Sequence, residues 1–181
     1  MAVIKKAGKA LKRYIYKYCN VDRVAERKIK KIIEIWHRGG YFNHRRAELM
    51  WFKFQKDYAC SFPPMITVGK NLRIEHYLGT TIGRTTVMGD DVRIYQGVNV
   101  IAKVSGDQEK WDNHERRHAI IGNNVVLGAC CTIIGPITIG DNSFIGARAI
   151  VTHDVPPNSV VIGTNIIKPR RPDQEAPSFN P

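Results

Sequence analysis

The sequence predicts a mainly β protein: a triangular coil of short parallel strands preceded by a small helical region. Three observations predict it: a six-residue aliphatic period, glycines at a fixed step of that period, and helical spacing of apolar residues before residue 58. From residue 68 an aliphatic side chain recurs every sixth position, in three runs. Val68 and Ile74 form the first run, and Ile82, Met88, Ile94 and Val100 the second. Ile121, Leu127, Ile133, Ile139, Ile145 and Val151 form the third. Glycine follows seven of these twelve residues, as Gly69, Gly83, Gly89, Gly122, Gly128, Gly140 and Gly146. Four positions after each aliphatic stand Leu72, Leu78, Thr86, Val92, Val98, Val104, Val125, Cys131, Ile137, Ser143, Ala149 and Val155, all aliphatic or small.

A period of six suits a prism in which each hexad makes one strand and one corner, and three hexads make a turn. The large aliphatic points inward, the small residue packs beside it, and glycine accepts corner geometry that a Cβ would strain. No hexad buries its apolar side alone, so the coils stabilise one another by stacking. A β-sandwich would need the same spacing to arise by accident. Two breaks interrupt the period. Two extra residues fall between Ile74 and Ile82, around His76-Tyr77-Leu78-Gly79-Thr80, and a polar excursion runs from about Ala102 to Arg117. Insertions in a solenoid project from one edge and often carry its binding sites.

Before the coil the pattern is helical. Residues 4 to 18 place Ile4, Leu11, Ile15 and Tyr18 on one face with lysines opposite. Residues 21 to 37 repeat Val24, Ile29, Ile32, Ile33 and Trp36, ending at Gly39-Gly40, a suitable C-cap. A third helix is expected over 44 to 57, which carries Leu49, Met50, Phe52 and Phe54. Pro63-Pro64 forbids further helix, and Pro156-Pro157 is expected to close the last coil. The domain reading is a basic helical region over 1–58, a β-helix domain over 59–168 with the loop 102–117, and an extended tail over 169–181.

The net charge of +12 is unevenly spread. Residues 1 to 58 hold 16 Lys and Arg against 5 Asp and Glu, and the remainder 12 against 11. The basic character therefore belongs to the helices and not to the coil, which argues against a nucleic-acid protein. Lys5, Lys6, Lys9, Lys12, Arg13 and Lys17 beside Ile4, Leu11 and Ile15 form an amphipathic stretch that fits weak contact with an anionic membrane surface. A solvated outer face fits it equally well. Cys19, Cys60, Cys130 and Cys131 make no C-x-x-C pair, disulfide framework or zinc pattern. No stretch reaches transmembrane length, and the lysine-rich start lacks a signal peptide's apolar core. A reducing cytoplasm is the expected setting, with contact at the inner membrane face as an addition to it.

Chemistry points to histidine, whose unperturbed pKa suits a general base. Of six histidines, His37 and His44 fall in the helices, His153 in a turn beside Asp154, and His114 in the long loop. His76 and His118 stand apart because each sits where the repeat is interrupted.

At these residues the sequence resembles the serine acetyltransferase family of hexapeptide-repeat enzymes. The resemblance covers residues 45 to 168. Arg73-Ile74-Glu75-His76-Tyr77-Leu78-Gly79 is similar to the family's H-x-x-G segment, Arg117-His118 to its R-H segment, Gly128-Ala129 and Gly146-Ala147 to its G-A steps, and Asp154-Val155-Pro156-Pro157 to its closing turn. The resemblance implies a left-handed coil, acetyl-CoA as co-substrate and no metal. It implies His76 as the base, Glu75 as a partner of that base or of the acceptor, and Arg117 and His118 as acceptor-holding groups. It places the pantetheine arm along Gly128, Ala129, Gly146 and Ala147. Lys168, Arg170 and Arg171 are candidates for the CoA phosphates. It also implies a homotrimer with sites between neighbouring chains.

Three departures bear on the acceptor. The family's D-x-H-P carboxylate falls on Ser61, its aspartate before the catalytic histidine is Glu75, and its G-G-T-G loop is replaced by residues 102–117. These changes favour, as an expectation, an acceptor hydroxyl on a sugar or surface-polysaccharide precursor, with serine as the alternative. A metal-dependent alternative rests on His76, His114 and His118, which could hold zinc between subunits as in gamma-type carbonic anhydrases. Their second interval is four rather than that family's five, which weighs against it.

Overall fold

The computed structural model describes residues 21–103 and 117–169. Helix α1 (Val21–His37) buries Ala25, Ile29, Ile32, Ile33 and Ile35 against the rest of the chain. That spacing is the stripe an amphipathic helix turns to a core; Ile35 goes inside, while Trp36 is only partly buried. Gly39 and Gly40, at φ 70 and 85, make the turn into helix α2 (Tyr41–Tyr58). This helix starts three residues before the expected one. It buries Ala47 and Phe54 and leaves Leu49 and Phe52 exposed. Burial against α1 selects a narrower stripe than hydropathy suggests. The helix expected over 4–18, with the membrane contact built on it, lies outside the described residues.

The coil follows as the hexads require. Strands β1 (Thr67–Val68), β4 (Val87–Met88), β7 (Ile120–Ile121) and β10 (Thr138–Ile139) stack as the first face. The second holds β2 (Arg73–Ile74), β5 (Arg93–Ile94), β8 (Val126–Leu127), β11 (Phe144–Ile145), β13 (Ser159–Ile162) and β14 (Ile166–Pro169). The third holds β3 (Thr81–Ile82), β6 (Asn99–Ile101), β9 (Thr132–Ile134) and β12 (Ile150–Val151). Each strand pairs in parallel with its counterpart one turn away, except β14, which returns antiparallel to β13. Strands of two to four residues have no stability alone. The interior column supplies it: Ile82, Ile94, Ile121, Leu127, Ile133, Ile139 and Ile145 are all at most 1% exposed. Each such burial stabilises by about 1.5–3 kcal/mol relative to exposure.

The strand register measures both interruptions. A plain turn advances 18 residues, as from Val126 to Phe144. The first advances 20, from Arg73 to Arg93, and the turn from Val87 to Ile120 advances 33. The extra two residues change which side chain goes inside. Leu78, expected inside, is 61% exposed, and Thr80 takes the buried place, in line with Val98, Cys131 and Ala149. After the long loop Ala119 holds the corresponding place before Ile121; Val104 lies outside the described residues. Pro156-Pro157 does not end the coil. Val161 is fully buried in β13, and Phe144 pairs Val160 after a shortened step of 16. The following β14 covers the outer edge of β13.

Candidate active site

The interruptions leave the prism at different edges. At the edge between the second and third faces, Gly97 N–H donates to Leu78 O, Cys130 N–H to Gln96 O, and Arg148 N–H to Ala129 O. These bonds stack Gly79, Gly97, Cys130 and Arg148 as equivalent corners, so His76 and Tyr77 are the surplus pair. His76 takes a left-handed φ of 56, a conformation uncommon for a side chain of its size. Its imidazole is 70% exposed, and Nδ1 lies 3.3 Å from Asp22 Oδ2. Tyr77 meets the Tyr58 ring edge-on at 5.3 Å, and Tyr58 stacks on Phe54 at 4.6 Å. Both helices therefore grip the insertion, α1 through Asp22 and α2 through Tyr58.

The carboxylate that meets His76 is thus Asp22 and not the adjacent Glu75, which is half-buried at the end of β2. Ser61 pairs with Thr81 at the start of the coil, and its Oγ accepts from Gln55 Nε2 at 3.2 Å.

His118 occupies the edge between the third and first faces, where the long loop rejoins. Its ring lies across Gly83, where an added Cβ would come 1.8 Å from the ring carbon Cδ2. Thr85 holds the other side: its N–H is 3.3 Å and its Oγ1 2.8 Å from His118 Nδ1. The same Oγ1 accepts the backbone N–H of Arg117 at 3.0 Å and of His118 at 3.2 Å. Burial, and then the neighbouring Arg117 charge, lower the pKa of His118 below the ordinary histidine value. Neither Asp22 nor Thr85 was flagged by the sequence motifs. Asp22 reads there as an N-terminal helix residue, and Thr85 as one of several corner threonines.

The Gly-Ala steps sit on the same edge as His76. Gly128 and Gly146 are buried under neighbouring backbone: a Cβ on Gly128 would come 2.6 Å from Ile145 O, and one on Gly146 2.9 Å from Val161 O. The stacking of the coils requires both glycines, whatever else lies there. Ala129 is half-buried and Ala147 exposed, so these are the members that face outward. Lys168 pairs through its backbone with Val160 in the final antiparallel ladder. Arg170, Arg171 and His114 lie outside the described residues. The remaining histidines hold structure: His37 Nε2 is 3.0 Å from Ile66 O, His44 stacks on Trp36 at 4.1 Å, and His153 meets Thr152 Oγ1 at 3.0 Å in an exposed turn. Burial pushes the Cys60 and Cys131 thiols up to about 12, which leaves them core residues and not nucleophiles. Among the described residues no three His, Cys, Asp or Glu side chains converge on one point, and no helix is long and apolar enough to cross a membrane.

Fold and interruptions together describe a β-helix built of six-residue repeats. The family described as bacterial transferase hexapeptide (six repeats) matches residues 118–153. Within that class the chain is similar to serine acetyltransferases. The Helicobacter pylori enzyme is 41% identical over 101 residues, covering 56% of this chain and 55% of the relative. The Mycobacterium tuberculosis enzyme is 40% identical over 102 residues, covering 55% and 41%. The solved serine acetyltransferase of Vibrio cholerae superposes with a TM-score of 0.72 at 25% identity, covering 86% of this chain and 57% of that one. The chain spans about half the length of the curated relatives it matches. The resemblance carried by the motifs is borne out, and with it the hand of the coil.

Proposed function

We propose that this chain is an acetyl-CoA-dependent O-acetyltransferase and that its acceptor is the hydroxyl of serine. The observation that carries the chemistry is the His76–Asp22 pair at the inserted corner. A carboxylate at Nδ1 orients the imidazole and leaves Nε2 to take a proton. In the proposed reaction Nε2 removes the acceptor's hydroxyl proton, the oxygen attacks the thioester carbonyl, the C–S bond breaks, and the CoA thiolate is reprotonated from the imidazolium. Ala129 and Ala147 border the proposed path of the pantetheine arm, with Gly128 and Gly146 beneath them. Lys168 and Arg170 are proposed phosphate contacts. Arg117 and His118 are assigned to the acceptor.

The working unit in this proposal is a homotrimer. Within one chain His76 and His118 occupy different edges, with the third face between them, so a single prism does not present them as one pair. A closed ring sets one chain's His76 edge against its neighbour's His118 edge, and three-fold symmetry repeats the arrangement.

Serine is preferred to a saccharide because the relatives reported above are serine acetyltransferases, and none supports the polysaccharide acceptor expected from Ser61 and the long loop. The test is transfer from acetyl-CoA to serine and to a panel of sugars, with products read by mass spectrometry. O-acetylserine as the main product is expected. Acetylated sugar with serine untouched would overturn the assignment and return the acceptor to the saccharide reading.

A further inference from the structure

The inference rests on the acceptor-holding role proposed for His118, and concerns which of its nitrogens carries the proton. Thr85 Oγ1 accepts two backbone N–H groups, from Arg117 at 3.0 Å and His118 at 3.2 Å. A hydroxyl has two acceptor lone pairs and one proton. With both lone pairs engaged, the proton is left for the contact at 2.8 Å with His118 Nδ1. The Thr85 backbone N–H, 3.3 Å from the same nitrogen, can only donate. Two donors therefore face Nδ1, and both need its lone pair free. A neutral imidazole whose Nδ1 accepts must carry its hydrogen on Nε2.

The geometry points to Thr85 as the positioning residue that keeps His118 neutral in its Nε2–H tautomer, so that His118 offers the acceptor a hydrogen-bond donor and cannot serve as the base. Protonating Nδ1 would set an N–H against two donors. Gly83 locks the ring from the opposite side, where any Cβ would overlap it. Burial and the Arg117 charge act in the same direction by disfavouring the imidazolium. The two interrupted edges then hold histidines of opposite function: His76, with a carboxylate on Nδ1, takes a proton, while His118, with donors on Nδ1, gives a hydrogen bond.

The test reads the tautomer directly. In the full chain labelled with ¹⁵N-histidine, without substrate and at neutral pH, long-range ¹H–¹⁵N correlation separates the two nitrogens of each ring. The His118 pattern is identified by its loss in His118→Gln. An imine-type Nδ1 and a pyrrole-type Nε2 are expected for His118. Thr85→Val should convert that pattern to a mixture of tautomers, while Thr85→Ser retains it. An Nδ1–H tautomer or imidazolium in the unmodified chain would overturn the proposal even if Thr85→Val does not fold, as would an unchanged pattern in Thr85→Val. Because no substrate is present, this result is independent of whether serine is acetylated. If it is, Thr85→Val should also raise the acceptor KM about tenfold and leave that of acetyl-CoA unchanged.

Discussion

Replacing His76 with alanine is expected to lower turnover by about 10²- to 10⁴-fold, the range for removing a positioned general base. The KM for acetyl-CoA should barely move, since the Gly-Ala steps belong to other coils. The imidazole is 70% exposed and meets Asp22 at 3.3 Å, so its removal costs little packing, and the variant should fold as the parent does. The Asp22→Asn substitution should lower turnover in the same direction by a smaller factor, because the amide keeps the shape but stabilises the imidazolium less. Circular dichroism and steady-state rates on the same preparation separate chemistry from folding. Near-normal turnover in a folded His76→Ala chain would remove this histidine from the mechanism.

Mixing His76→Ala with His118→Ala, provided each is inactive alone, should restore activity to about a quarter of the parent level. Each site in the proposed trimer takes His76 from one chain and His118 from the next. Co-expressed His76→Ala and His118→Ala chains assemble at random, and three quarters of the trimers contain both types. Read round the ring, each mixed trimer has one interface with both native histidines and two without. The structural reason to expect this is the separation of the breaks: the surplus pair His76-Tyr77 leaves one edge of the prism, while His118 lies over Gly83 at another. If one chain supplied both histidines, no mixture would contain an intact site, and activity would stay at the level of the parents.

Much of the fold was legible because the hexad period is a direct consequence of a side chain pointing inward at each strand. Ile121 through Ile145 needed no context to read. What failed was phase after an interruption: Leu78 looked like the inward residue until two added residues rotated Thr80 into its place. The end of the coil escapes the pattern for a related reason, since β13 follows a shortened step that no fixed period detects. At the site, the histidines are visible because each stands at a break, but the groups that meet them are not. Asp22 reaches His76 from a helix far earlier in the chain, and Thr85 reaches His118 across a 33-residue separation. Such contacts exist only once the helices pack on the coil and residues 117 and 118 lie along its edge. Glu75, the neighbour in sequence, is the natural candidate for the place beside His76 that Asp22 occupies.

The most direct measurement of the central claim is the fate of the acetyl group in a single incubation with acetyl-CoA. Free thiol release should require serine, and each thiol released should be matched by one acetyl ester on the serine oxygen. Thiol released without an acceptor and matched by free acetate would show hydrolysis rather than transfer, and would contradict the account.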